Sequence, residues 1–460
     1  MRDVSQDKTK IIEEMAAKAS VQSKIEPALY ERFNVKRGLR NSDGTGVLVG
    51  LTEVGEVMSY IVDDAERIPV EGRLFYQGIE ISDIVSGFYQ HKRFGFEETA
   101  YLLLFGELPT ADQLSEFEAL LVACRDLPDN FTEDMILKAP SPDIMNKLAR
   151  SVLALYSYDA DPDSLEVTNV LRQCVELIAR FPVMIAHAYM ARRHYVEKES
   201  LFLHSPKPEY NTAQNILYLI RPDGQFSDLE ARILDLALVL HAEHGGGNNS
   251  SFVTHCVSSS GSDTYSVIAA AIGSLKGPQH GGASNKAYAM MQELAASVKN
   301  WRNEMEICDY LTKILSKQAY DRSGLIYGIG HAVYTVSDPR TKLLRDYARS
   351  LAYEAGREEE YELYTLTERL APEVFNRVKK NDKIVCANVD FYAGFIYSML
   401  GIPPELFTPI FACARIAGWS AHRIEELVSG GRIMRPAYKS VRKRRRYVQI
   451  ENREDKEDEE

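Results

Sequence analysis

No stretch of this 460-residue sequence joins the ~18 apolar residues that a membrane-spanning helix needs, so none is expected. Residues 1–24 mix Asp, Glu, Lys and Arg and lack an apolar segment, which argues against a secretory leader. No Cys-x-x-Cys pair occurs. The six cysteines, Cys124, Cys174, Cys256, Cys308, Cys386 and Cys413, are scattered and read as reduced, mostly core thiols of a cytoplasmic protein. Internal repeats, long linkers and the three-glycine dinucleotide fingerprint are all missing. Positive charge is in deficit: the net charge is -12, which argues against a nucleic-acid partner. An anionic substrate must therefore be gripped by local arginines against the overall field.

What remains is ordinary globular composition, 45% hydrophobic and 26% charged. The length suggests two or three domains at roughly 150 residues each. Helical periodicity dominates, which predicts a mainly α fold with a small N-terminal β element. The first 30 residues read as one exposed helix. Three short β-branched runs follow, at 46–51, 56–62 and 72–78. Thr110 is placed to cap a helix running to about Cys124. Apolar residues at Val167, Val170, Leu171, Cys174, Val175 and Ile178 mark a helix that can continue through Pro182. Residues 194–211 read as a loop, and 231–240 as a helix buried on all sides. Ala287, Met290, Met291 and Leu294 mark another. The C-terminus carries Arg442-Lys443-Arg444-Arg445-Arg446 and then an acidic run, read as a solvated tail over 441–460.

Chemistry concentrates where histidine meets glycine. His241 and His244 sit three apart in His-Ala-Glu-His-Gly-Gly-Gly-Asn-Asn-Ser, at 241–250. Two readings stand for them: a metal pair, or a glycine-capped helix end with a structural His241. The segment is not His-Glu-x-x-His, and no third ligand follows from spacing. His280 lies in Gly-Pro-Gln-His-Gly-Gly-Ala at 277–283, a turn opening a helix. The positive helix end is expected to keep that imidazole neutral. Gly328-Ile329-Gly330-His331 reads as a tight loop presenting His331, with Arg340 nine residues on. Asp390, between Val389 and Phe391, is either a base strengthened by apolar surroundings or a helix cap. Arg415, inside Phe411-Ala412-Cys413-Ala414-Arg415-Ile416-Ala417-Gly418-Trp419, needs an anion or a structural ion pair. Arg435 follows in Arg432-Ile433-Met434-Arg435-Pro436. Arginines beside histidines and one aspartate suit a small polycarboxylate, because guanidinium matches carboxylate bidentately.

In order and spacing, these motifs resemble the citrate synthase family, including the 2-methylcitrate synthases. Asp-Pro-Arg at 338–340, Asn-Val-Asp-Phe-Tyr at 388–392 and Arg-Ile-Ala-Gly-Trp at 415–419 complete the likeness, which runs over about 36–440. It implies a two-domain helical homodimer: a large domain of 1–281 with 393–440, and a small domain of 282–392 closing over the substrates. It also implies condensation of acetyl-CoA with oxaloacetate, with no metal and no cofactor. Asp390 would take the methyl proton, His280 would stabilise the enolate, and His331 would activate the oxaloacetate carbonyl. His244, Asn248, Arg340 and Arg415 would hold oxaloacetate, with Arg435 crossing from the other subunit and Ser250 supporting His280. Coenzyme A would lie along Leu325, Ile326, Gly328, Gly330 and Ala332, near Arg40, Lys383 and Asn388. The sequence departs from common family patterns at Gln77-Gly78, Pro142-Asp143-Ile144-Met145, Thr335 and Cys386-Ala387. Three alternatives stay open: a 2-methylcitrate synthase preferring propionyl-CoA, a weakly catalytic metabolite-binding or assembly protein, and a metal-dependent hydrolase using His241 and His244.

Overall fold

The computed structural model describes residues 4–453 except 42–43, 64–65, 332 and 383. Helices dominate it, with seventeen α-helices and one three-stranded antiparallel sheet among the described residues. The mainly α expectation therefore holds. The strands are β1 (Gly55–Asp63), β2 (Glu66–Tyr76) and β3 (Ile79–Glu80), ordered β1-β2-β3. Register runs from Gly55 opposite Tyr76 to Asp63 opposite Glu66, with an irregularity between Met58 and Tyr60. Tyr76 anchors this hairpin to the core by donating its hydroxyl to the Val239 and Glu243 carbonyls, at 3.0 and 3.1 Å.

Two local expectations need correction. The run at 46–51 is not a strand. Gly46 makes a single bridge to Arg40, while Leu48 and Leu51 are 83% and 90% exposed. A β-branched run becomes a strand only where another strand can pair with it, and β1 and β2 already satisfy each other. The N-terminal stretch is two helices, Val4–Gln22 and Pro27–Arg32, because Pro27 cannot extend the first but suits the start of the second.

Elsewhere local signals hold. Thr110 and Gln113 form a reciprocal capping box on the Ala111–Ala123 helix. The Val167–Glu197 helix runs straight past Pro182 in sequence and buries most of its middle. That helix is long and apolar enough to cross a membrane, contrary to the reading of the sequence, but 83% of its apolar window is buried inside the fold. Each large aliphatic or aromatic side chain sunk there contributes about 1.5–3 kcal/mol. The Asp228–His241 helix is buried from Ile233 to His241 and delivers the first histidine turn into the interior. The Phe407–Val428 helix packs against it. Gly418 permits the closest approach: a Cβ there would stand 2.4 Å from both the Ala242 carbonyl and Glu243 Oε2.

The basic part of the tail is exposed, and Arg442 donates to the Gln22 carbonyl at 2.6 Å. Its acidic end, residues 454–460, lies outside the described residues.

Candidate active site

Six side chains from six separate stretches are brought close together. His244 comes from the turn after the Asp228–His241 helix, and His280 from the turn before the Ala283–Ser297 helix. His331 follows the Gly328–Gly330 loop. Arg340, Asp390 and Arg415 lie on the Pro339–Glu354, Val389–Met399 and Phe407–Val428 helices. The His244 and His331 rings are 5.3 Å apart, and Tyr334 meets His244 edge-on at 5.5 Å and His331 at a tilt at 4.8 Å. His244, Arg340 and Arg415 are buried, whereas His280, His331 and Asp390 are half-buried. The pocket thus has a cationic floor and a reactive rim.

The floor holds donors without acceptors. Arg415 Nε donates to the His241 carbonyl at 2.6 Å, but its Nη1 and Nη2 are buried with no hydrogen-bond partner. His244 Nε2 is in the same state. A buried unpaired donor costs about 1–3 kcal/mol, and more when charged. Burial pushes the Arg415 guanidinium down to about 10, although Glu243 supports its charge from nearby. The structural ion pair considered for Arg415 is absent among the described residues. Arg340 is different. Asp338 caps its helix and takes both Nε and Nη2, at 3.1 and 2.8 Å. The same carboxylate accepts the Val389 amide at 3.2 Å, so it ties Arg340 to the start of the Asp390 helix.

The rim holds neutral imidazoles and a strengthened base. His331 Nδ1 accepts the amides of Val333 and Tyr334, both at 3.0 Å. Its proton must therefore sit on Nε2, where it can be donated to a ligand. Burial first, and Arg340 second, push His331 down to about 4. His280 is also pushed down to about 4, by burial and then by Arg415. Its Nε2 meets Ser250 Oγ at 3.2 Å; Ser250 receives Trp419 Nε1 at 3.0 Å and donates to Asn248 Oδ1 at 2.9 Å. Were the Ser250 hydroxyl to donate to His280 instead of Asn248, the imidazole proton would sit on Nδ1.

Asp390 is not the cap of its helix. Asn388 is, accepting the Asp390 amide at 3.0 Å, and this frees the carboxylate for the pocket. Burial raises the Asp390 carboxyl, with Ser284 holding Oδ1 at 2.5 Å as the main opposing contact. Ser284, Asp338 and Trp419 were given no role by the sequence reading. Only Asp338 carried a local signal, since Asp-Pro at a helix start marks a cap.

The proposed coenzyme positions are partly assembled. Asn388 Nδ2 donates to the Gly330 carbonyl at 2.7 Å, and its amide to Gly328 at 2.8 Å. Gly328 has φ +80, and a Cβ there would meet Phe391 at 2.8 Å, so only glycine fits. Ile326 is buried, Leu325 is 56% exposed, and Arg40 is close enough to act on the His331 charge. Ala332 and Lys383 lie outside the described residues. Arg435 is exposed and does not join the pocket within this chain. His241 Nδ1 bonds the Ala237 carbonyl at 2.6 Å and its Nε2 is buried without a partner, but among the described residues no third ligand joins His241 and His244 in a metal-binding group.

Two neutral imidazoles in a shared pocket give a stability prediction. Their folded values, about 4, lie below the ordinary 6.5. Between those values the unfolded chain binds more protons, so stability is present above pH 6.5 and is lost as pH falls toward 4. Urea unfolding is expected to show about 2 kcal/mol less stability per imidazole at pH 5 than at pH 7. Equal midpoints at both pH values would contradict it.

A mainly α scaffold that sets a base, two neutral imidazoles, one bare guanidinium and one braced by a carboxylate close together suits small carboxylate chemistry. Residues 43–437 match the family model for the citrate synthase C-terminal domain. The chain is 35% identical to citrate synthase from Synechocystis, over 80% of this chain and 84% of that one. It is 31% identical to 2-methylcitrate synthase from Shewanella oneidensis, over 79% and 87%. Citrate synthase from Pyrobaculum aerophilum superposes with a TM-score of 0.72 at 28% identity, covering 91% and 95%. The citrate synthase of Thermoplasma acidophilum, solved in a ternary complex with carboxymethyl coenzyme A and oxaloacetate, gives 0.73 at 25%, covering 91% and 99%. The chain belongs to the citrate synthase family and is an acyltransferase of that family.

Proposed function

We propose that the chain condenses acetyl-CoA with oxaloacetate and water to give citrate and coenzyme A. The observation that carries this is a set of buried, unpaired nitrogens, Arg415 Nη1 and Nη2 and His244 Nε2, which suits a dicarboxylate. Arg340, braced by Asp338, and Asn248 complete the grip. Asp390 removes the acetyl α-proton while His280 donates to the thioester oxygen. A carboxylate alone is far too weak a base, so this donation as charge develops is what makes the step feasible. The carbanion carbon attacks the oxaloacetate carbonyl, whose oxygen takes the Nε2 proton of His331. Water then cleaves the thioester. The steps require neither a redox group nor a metal.

The small segment 282–392, which carries His331, Arg340 and Asp390, closes over the substrates against the face carrying His244 and Arg415. Two copies assemble, and the partner subunit's Arg435 completes the carboxylate grip. Coenzyme A runs along 325–332 with Arg40, Lys383 and Asn388 beside it. The likeness to proteins named 2-methylcitrate synthase supports a second reading, with propionyl-CoA as donor.

Oxaloacetate-dependent thiol release tests both. With acetyl-CoA the expected kcat/KM exceeds that with propionyl-CoA by about 10–200-fold, the range one methylene supplies. The reverse ratio would establish the second reading. No release with either donor would overturn the condensation itself.

A further inference from the structure

A second cluster of imidazoles and carboxylates lies behind the pocket, where the Asn249–Ser258 and Phe407–Val428 helices pack together. His255 Nε2 and His422 Nδ1 face each other at 3.1 Å. Glu425 Oε2 stands 3.7 Å from the His422 nitrogen and 4.0 Å from the His255 nitrogen. The remaining nitrogen of each ring meets a carboxylate: His422 Nε2 lies 3.0 Å from Glu243 Oε1, and His255 Nδ1 lies 2.9 Å from Glu426 Oε2.

Those outer carboxylates accept protons and cannot give them. Each imidazole therefore places its N–H on the outer side, and the two inner nitrogens confront one another with lone pairs. A cation must lie between them. A shared proton would reconcile the two rings and face Glu425 Oε2 across 3.7 Å, but would leave that buried oxygen without a hydrogen bond. Its twin, Oε1, is fixed by the Glu53 amide at 2.7 Å, so the carboxylate is held with Oε2 inward. A divalent ion satisfies all three atoms. Ligands around tetrahedral zinc stand about 3.4 Å apart, given bonds of 2.0–2.2 Å. The three separations here straddle that spacing. Histidines braced by carboxylates through their far nitrogens are the usual outer support of such a site.

We propose that His255, His422 and Glu425 form a binding site for a zinc-type divalent cation, with a fourth position left to water. These atoms form the only such three-ligand group among the described residues, and it is not the His241–His244 pair that the sequence suggested. Glu425 also lines an open cleft of about 500 Å³ with Thr52, Gln77, Leu103 and Ser429. The ion joins the two helices and, through His422 and Glu243, braces the turn that carries His244. It takes no part in bond making, so the proposal stands or falls apart from the condensation reaction.

The test is metal content and Zn²⁺ titration of the full-length, chelator-treated chain. One equivalent of zinc per chain is expected, with Co²⁺ in its place giving the intense visible absorption of a tetrahedral site. Glu426→Gln is expected to weaken zinc binding about 10–100-fold, as loss of outer support does elsewhere. His255→Ala and Glu425→Gln are expected to abolish the stoichiometric binding, with circular dichroism checking that each variant is folded. A wild-type chain that binds no zinc at micromolar free metal would show that only a shared proton is present, and would overturn the proposal. So would undiminished binding by both folded ligand variants.

Discussion

Asp390→Asn is expected to lower kcat by about 10²–10⁴-fold, the usual contribution of a positioned base, while the KM for oxaloacetate barely moves. The geometry dictates this split. Asp390 stands at the half-buried rim and Arg415 and His244 on the buried floor, so amidation removes proton transfer and leaves the anion grip intact. Burial raises the carboxyl, which makes it a stronger base, and Ser284 limits that rise by donating to Oδ1. The amide keeps nearly the same shape. Steady-state kinetics with oxaloacetate varied at saturating acyl-CoA checks the result. A proportionate rise in KM would instead make Asp390 part of the substrate grip.

Arg415→Met is expected to act in opposite directions on stability and function. In the ligand-free chain two guanidinium donors are buried without acceptors. Replacing a buried charge that Glu243 compensates only in part by an apolar side chain of similar length should stabilise the fold by about 1–4 kcal/mol. Loss of the bond to the His241 carbonyl offsets about 1 kcal/mol of that gain. With oxaloacetate the sign reverses. A carboxylate that met this guanidinium now has no partner, so kcat/KM should fall by about 10²–10³-fold. Urea unfolding without ligand and thermal shift with oxaloacetate measure the two halves. A ligand-free variant less stable than the parent would mean that the arginine is already paired.

The sequence motifs singled out side chains that the fold brings near one another. Six segments carried His244, His280, His331, Arg340, Asp390 and Arg415, and the fold brings all six to one place. Local signals worked where the physics is local. Thr110 caps its helix because its hydroxyl reaches an amide three residues away. Pro182 misled nothing, because the surrounding helix is held by burial on nearly every side. Local signals failed where a partner decided the outcome. The run at 46–51 has strand composition but no neighbour to pair with. Burial and Arg415, which is 135 positions away in sequence, both depress His280, and neither is visible in its own segment.

Charge balance was the least legible feature. Nothing in Asp-Pro-Arg said that Asp338 would spend its carboxylate on Arg340 while Arg415 stayed bare. Likewise, His255, His422 and Glu425 gave no motif, since 167 positions separate the two histidines. Residue type and periodicity, read in order along the chain, were sufficient for helices, caps and the chemistry available, because those depend on neighbours within a few residues. Which guanidinium is satisfied, which imidazole is neutral and which lone pairs face each other were settled only by packing. Burial and through-space charge act between segments that the chain order keeps far apart.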